Sequence, residues 1–389
     1  MSNKLPNGWK ECKLGEVVYL NQRSIDSTYE YQNIVYLDTG SITRGRITDI
    51  KEYKLSEAPS RAKRLVKHND IVYSTVRPIQ RHYGIINNPP DNMVVSTGFV
   101  VIEAIESLVD PFFIYYFLTL DEIVEILDII AEASTSAYPS LRPSDLENLN
   151  ILLPPLPEQR AIASVLSSLD DKIDLLHREN KTLEAMAETL FRQWFIEEAK
   201  DDWEKGVIPD EFDFTMGLAP PGESYNEEGI GVPLYQGNAD FQFRFPKKRV
   251  YTTDPKRFAE KYDALISVRA PVGTINMADD KCCIGRGIAA FRYKNNNSFY
   301  TYTYFKLRSL MGEIQQFNDE GTVFGSINKR DFESFEIVIP PYNVIVQFQN
   351  FAKPLDDKII VNSIQIHTLE KLRDTLPPKL MSGEVRIQY

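Results

Sequence analysis

Cations are the residues of this 389-residue chain whose type and spacing best suit chemistry, and that chemistry is contact with phosphate. Between Arg44 and Arg81 ten Lys and Arg face four acids, a local balance of +6. The candidates for contact there are Arg44, Arg46, Arg61, Lys63, Arg64, Lys67, Arg77 and Arg81. Between Phe241 and Lys294 twelve basic residues face five acids, a balance of +7. The candidates there are Arg244, Lys247, Lys248, Arg249, Lys256, Arg257 and Arg269, and "FQFRFPKKRVY" interleaves aromatics with cations. The whole chain carries −11, which taken alone argues against a polyanion partner; segregation of charge into two windows changes that reading. One such window is within the ordinary fluctuation of a solvated surface, whereas two at matching places ask for a common cause.

Residues for catalysis are harder to find. "NPPD" (Asn88 to Asp91) resembles the Asn-Pro-Pro-aromatic motif of amino-methyltransferases, but its fourth residue is Asp and "INNPPDNM" reads as a turn. The glycines of "CIGRGIAAF" do not form a dinucleotide fingerprint, and no phosphate-loop motif is present. Four histidines and three cysteines (Cys12, Cys282, Cys283) make no metal spacing, so no metal site and no catalytic residue is expected. No apolar run approaches a membrane span, the N-terminus lacks a signal-peptide core, and "FFIYYFLTL" reads as a buried helix. These absences lead us to expect a cytoplasmic protein.

The elements that must position the cations are written twice. "LPPLPEQRAIASVLSSLDDKIDLL" begins at Leu153, and "IPPYNVIVQFQNFAKPLDDKIIVN" begins at Ile339. An offset of 186 superposes Pro154-Pro155 on Pro340-Pro341 and Leu169 to Ile173 on Leu355 to Ile359 without a gap. Upstream the match is looser. "VKHNDIVYSTVRP" parallels "AEKYDALISVRAP", and "STSAYPSLRPSDLENLNILLPP" parallels "GTVFGSINKRDFESFEIVIPP". Each copy is thus a globular unit followed by a helix.

The helices carry a heptad. Leu169, Leu176, Leu183 and Leu190 alternate with Ile173, Asn180, Ala187 and Trp194; the second copy offers Leu355, Ile359, Asn362, Ile366 and Leu369. An intramolecular antiparallel pair would place the two units at opposite ends, about a pseudo-two-fold axis, with Asn180 facing Asn362. Ser168 and Pro354 predict a helix start, with Asp170-Asp171 and Asp356-Asp357 in the first turn, and Pro377-Pro378 predicts the end of the second helix.

In order and spacing these features resemble the specificity subunit of type I restriction-modification enzymes. The carriers are the two Leu-Asp-Asp-Lys-Ile helices, "GWKECKLGEVV", "VYSTVRP" and "ISVRAPVG", "PPLPEQRAIA", "APPGESYNEEGIGVPLYQG" and "KLMSGEVRI". The resemblance implies an α+β fold in which residues 1–153 and 201–339 are target recognition domains, each reading half of a bipartite duplex DNA target. Residues 154–200 and 340–389 would be spacer helices that set half-site spacing and dock two methyltransferase subunits. It implies no cofactor in this chain; S-adenosylmethionine, ATP and Mg belong to the methyltransferase and restriction subunits. Lack of Pro-Glu-Gln in the second copy, and Pro377-Pro378 at the end of its helix, suggest that the two docking surfaces are not equivalent. The competing reading is a coiled-coil protein-interaction scaffold without DNA binding.

Overall fold

The computed structural model describes residues 5–134, 139–294, 296–319 and 326–388. Parts of the paired stretches that begin at Ser134 and Gly321 lie outside them. The chain forms two compact units: Met1–Ile173 with Leu369–Tyr389, and Asp174–Thr368. Two long helices, Leu156–Arg192 and Tyr342–Met381, contribute a segment to each unit.

The units are built alike, strand for strand. In unit 1 one antiparallel sheet runs Val18–Leu20, Phe99–Ala104, Ile71–Ser74, Tyr83–Ile85. A second runs Lys51–Lys54, Asn33–Leu37, Met93–Ser96, Ala62–Leu65, its middle pair parallel. Unit 2 repeats the first sheet as Phe212–Met216, Ile288–Tyr293, Ala264–Ser267, Ile275–Met277. It repeats the second as Val250–Thr252, Val232–Tyr235, Cys282–Ile284, Phe258–Ala259, again with a parallel middle pair, and adds Tyr225–Asn226 at one edge. A two-stranded ribbon closes each unit, Lys10–Lys13 with Asn150–Leu153 and Glu204–Val207 with Glu336–Ile339. The fold is therefore α+β, with a duplicated domain.

The same local devices recur. The central strand of each first sheet is entered through a left-handed residue, Asn69 (φ 68°) or Tyr262 (φ 69°), and a buried aspartate. Asp70 accepts from the Lys67 amide at 2.8 Å and from Arg23 at 2.6 Å; Asp263 accepts from the Glu260 amide at 2.8 Å and from Arg292. Burial pushes the Asp70 carboxyl up to about 6 despite these donors.

Within each unit the helix segments run antiparallel, because contacts fall along one as they rise along the other. In unit 2 Glu179 lies near Lys358 and Phe191 stacks edgewise on Phe348. One turn beyond Lys358, Asn362 Nδ2 donates to Asn180 Oδ1 at 2.9 Å, and both side chains are buried. In unit 1 Leu169 and Leu376 join a core containing Ile162, Leu166 and Leu380. The seam residues Ile173, Leu176, Ile359 and Ile366 are buried, and Leu183, Leu190, Leu355 and Leu369 half-buried.

Three expectations about the helices are corrected. The first long helix passes through Ser168 without a break, and the Ser168 hydroxyl donates to the Val165 carbonyl of its own helix instead of capping a new one. The second passes through Pro354 and continues beyond Pro377-Pro378 to Met381. A helix-interior proline costs about 3 kcal/mol and a backbone hydrogen bond. Here burial of Ala352 and Asp356, and of Leu380 and Met381, holds the flanking turns in place. Consequently the Leu-Asp-Asp stretches lie in mid-helix, away from any helix dipole end. Their carboxylates serve as anchors. Tyr116 Oη donates to Asp170 at 2.8 Å, Thr301 Oγ1 donates to Asp356 at 2.9 Å, and Tyr300 Oη donates to Asp357.

The Pro-Glu-Gln stretch is also accounted for. Glu158 is fully buried and accepts from Trp9 Nε1 at 3.2 Å and from Arg386 Nε and Nη2 at 2.9 and 2.7 Å. The closing segment of the chain therefore clasps the start of the first long helix. Val344 and Ile345 hold the corresponding places in the second copy, and Ile345 packs into the apolar core.

Two outcomes follow from this packing. Asn180→Ala strands the Asn362 amide and should lower stability by about 1–3 kcal/mol, whereas replacing both by Leu should recover much of the loss; urea denaturation of the three proteins checks this. Glu211, buried and bound by Tyr302 Oη at 2.6 Å, has its carboxyl pushed up to about 7 by burial. Its folded value lies above the unfolded one, so its neutral form favours folding below the unfolded value, and that contribution is lost as pH rises through about 7. Wild type should therefore lose more melting temperature between pH 5 and 8 than Glu211→Gln, as thermal melts at both pH values would show.

Candidate nucleic-acid interface

The two units present one turn in common. After the central strand of each first sheet, a buried serine hydroxyl organises the turn that carries an exposed arginine. Ser74 Oγ accepts from the Val76 amide at 3.2 Å ahead of Arg77. Ser267 Oγ accepts from the Thr274 amide at 2.9 Å and donates to the Pro271 carbonyl at 2.8 Å, bracketing Arg269. A second segment then bridges onto each turn. Val76 pairs with Ser140 and Arg269 with Ser326, and the amides of Leu141 and Ile327 donate to the Thr75 and Val268 carbonyls at 2.8 and 3.0 Å. Ser140 and Ser326 are themselves related by the offset of 186. The helix after each is capped alike, the Arg142 amide donating to Asp145 and the Asn328 amide to Asp331. A guanidinium held on such a braced turn can meet a phosphate or the edge of a guanine.

The remaining cations divide by their partners. In unit 1 Arg44 and Arg46 stand exposed on the hairpin that pairs Ile42 with Ile47, and Arg61, just before an edge strand of the second sheet, and Lys63, within it, are exposed. Arg64 is half-buried, and burial lowers its affinity for a proton. Lys67 is committed to Glu103, and Arg81 to Asp121 at 2.7 Å. In unit 2 Lys247, Arg257 and Arg269 are exposed. Lys248 pairs with Asp279 at 2.7 Å, Arg249 with Asp240 at 3.1 Å and Lys256 with Asp254 at 2.7 Å.

Arg244 is a correction. Its side chain is fully buried, 2.9 Å from Asp356 and 3.7 Å from Glu184, with its guanidinium carbon 3.8 Å from the Tyr304 ring centroid. It offers nothing to an external phosphate in this arrangement; it braces the hairpin against the second long helix. Arg286, exposed between two glycines that approach the Gln236 backbone, escaped the sequence reading for want of a cationic neighbour.

Asn88 to Asp91 form a surface turn. Among the described residues there is no group of three or more His, Cys, Asp or Glu placed to hold a metal, and no helix long and apolar enough to cross a membrane.

The chain can now be set beside known proteins. The model of the type I restriction modification DNA specificity domain matches residues 6–185 and 200–371, once per copy of the repeat. The HindI specificity subunit of a type I restriction enzyme from Haemophilus influenzae is 25% identical over 97% of this chain and 99% of its own length. The MjaIX specificity subunit from Methanocaldococcus jannaschii is 27% identical over 97% and 89%. The crystal structure of the type I restriction-modification system S subunit from M. genitalium has the same fold, with a TM-score of 0.65 at 18% identity, covering 97% of this chain and 98% of that one. Its two matched domains and their duplicated topology place this chain in the type I restriction-modification DNA specificity family.

Proposed function

We propose that each unit of this specificity subunit reads one half of a bipartite duplex DNA target, and that the long helices set the half-site spacing and dock two methyltransferase subunits. The observation that carries the reading is the duplicated serine-braced turn, which exposes Arg269 in unit 2 and, one position further along, Arg77 in unit 1. Arg44, Arg46, Arg61, Lys63, Lys247 and Arg257 surround these turns in sequence and are free of ion pairs among the described residues, which suits phosphate contacts. Chemistry would then reside in the partners: adenine methylation with S-adenosylmethionine, and ATP- and Mg-dependent translocation and cleavage where a restriction subunit is present.

Docking is supported by the outer faces of the helices. Leu175 and Val361, 186 positions apart, are both exposed, and so are Met186 and Leu372 at the same offset. Exposed apolar side chains at matching repeat positions suit two copies of one partner. The uninterrupted second helix removes the reason to expect an unequal pair on account of Pro377-Pro378.

Two measurements test the reading once methylated adenines have been mapped in cells carrying the intact complex. Binding of the complex to that target should weaken steeply with salt. Arg77→Ala and Arg269→Ala should each cost about 1–3 kcal/mol, read by fluorescence anisotropy; salt-independent binding would refute DNA contact through these cations. Adding one heptad to both helices lengthens each by about 10 Å, close to three base pairs. The distance between methylated half-sites should grow by about that amount, and unchanged spacing would count against the ruler.

A further inference from the structure

The duplication provides a comparison inside one chain. Each unit has a cleft between its aromatic helix, Pro111–Thr119 or Tyr300–Ser309, and a segment of long helix. In unit 1 the lining includes Tyr116, Thr119 and Leu120 with Asp374, Pro377 and Pro378. In unit 2 it includes Phe305, Arg308 and Ser309 with Glu188, Phe191 and Arg192. These are the same positions: the long-helix residues differ by 186, and the others coincide when Pro111 is aligned with Tyr300. The volumes differ, 400 Å³ in unit 1 against 150 Å³ in unit 2.

Arginine accounts for the difference. In unit 2 the Arg244 guanidinium lies between the Tyr304 ring and Asp356, and Arg308 binds Glu184 at 2.8 Å. Arg244 is the third residue after Phe241 in a hairpin that bridges Phe241 to Pro246. The hairpin of unit 1 pairs Ile42 with Ile47, and its third residue after Ile42 is Gly45. Both third residues are left-handed, φ 63° for Arg244 and 77° for Gly45. A Cβ on Gly45 would stand 2.7 Å from Tyr115 Oη, and Tyr115 is the counterpart of Tyr304. Thr119 replaces Arg308. Unit 1 thus keeps the aromatic wall and the carboxylate, Asp170 standing where unit 2 has Asp356, but carries neither arginine. Of the other charged groups lining the cleft, Arg81 is held by Asp121 at 2.7 Å and Arg373 by Asp374 at 3.1 Å; burial still raises the Asp170 carboxyl, although its bond from Tyr116 and the nearby charge of Arg373 oppose this. Arg44, without an ion pair among the described residues, lines the same cleft as Asp170 and Glu122.

We propose that the cleft of unit 1 is a guanidinium-binding site, in which a planar cation lies against Tyr115 and Tyr116 and pairs with Asp170. The cation comes either from Arg44, swung in from the hairpin tip, or from an arginine side chain of a partner protein. The chemistry is the same in both cases.

Calorimetric titration of the full chain with methylguanidinium, and with neutral methylurea as control, tests this. Saturable one-to-one binding with a dissociation constant on the order of millimolar is expected for methylguanidinium alone. It should weaken at least tenfold in Asp170→Asn, and Thr119→Arg, which restores a cation of unit 2, should block it. Tighter binding in Arg44→Ala identifies Arg44 as the resident cation; unchanged binding assigns the site to an arginine from outside. Absence of saturable binding in both wild type and Arg44→Ala, or equal binding in Asp170→Asn and Thr119→Arg, overturns the proposal.

Discussion

Withdrawal of one mid-helix carboxylate per repeat from water, partial for Asp170 and complete for Asp356, is the constraint on which both units depend. A carboxylate without partners is too costly to bury, so each helix must be met by donors from its own unit. Asp170 meets Tyr116, and Asp356 meets Thr301 and Arg244. All but Arg244 of these donors lie on the aromatic helix that follows the sheets, and this fixes how each set of sheets sits on its helix segment. The seam then needs only apolar complementarity and one polar pair, Asn180 with Asn362, to set its register.

The two copies have diverged where their surroundings differ. Glu158 is buried because Arg386, beyond the second helix, and Trp9 reach it. The second copy carries no carboxylate at the corresponding place, and an apolar pair, Val344-Ile345, packs there instead. Trp203, which precedes the second ribbon as Trp9 precedes the first, packs on Phe195 rather than donating to a carboxylate. The same logic governs the aromatic helices. Unit 2 fills the space beside its helix with Arg244 and Arg308, and unit 1 leaves a cleft of 400 Å³.

Electrostatics here are local. The chain is acidic overall, yet among the contact candidates those without an ion pair, such as Arg44, Arg46, Lys63, Arg77 and Arg269, lie on hairpins, an edge strand and serine-braced turns. Acids within each unit consume the rest, as Asp279 does for Lys248 and Asp121 for Arg81. Net charge therefore says little about the face that meets a polyanion, since screening confines each charge to roughly 10 Å.

The duplication, the strand–serine–arginine turn, the 3-4 spacing of the seam and the opposition of Asn180 to Asn362 were all legible in the amino-acid order. Each is a local periodicity or a repeated string, and the antiparallel pairing follows from where the copies fall along the chain. Helix continuity was not legible: the rule that proline ends a helix is a local preference, and burial of Ala352, Asp356 and Leu380 overrides it. Nor could the order of residues separate Arg244 from its neighbours Lys247 and Lys248. That distinction rests on Asp356, more than a hundred positions away, and on a left-handed backbone at the hairpin tip. Which cations are spent inside a unit, and which remain for a partner, is a property of long-range contacts, and only the tertiary structure decides it.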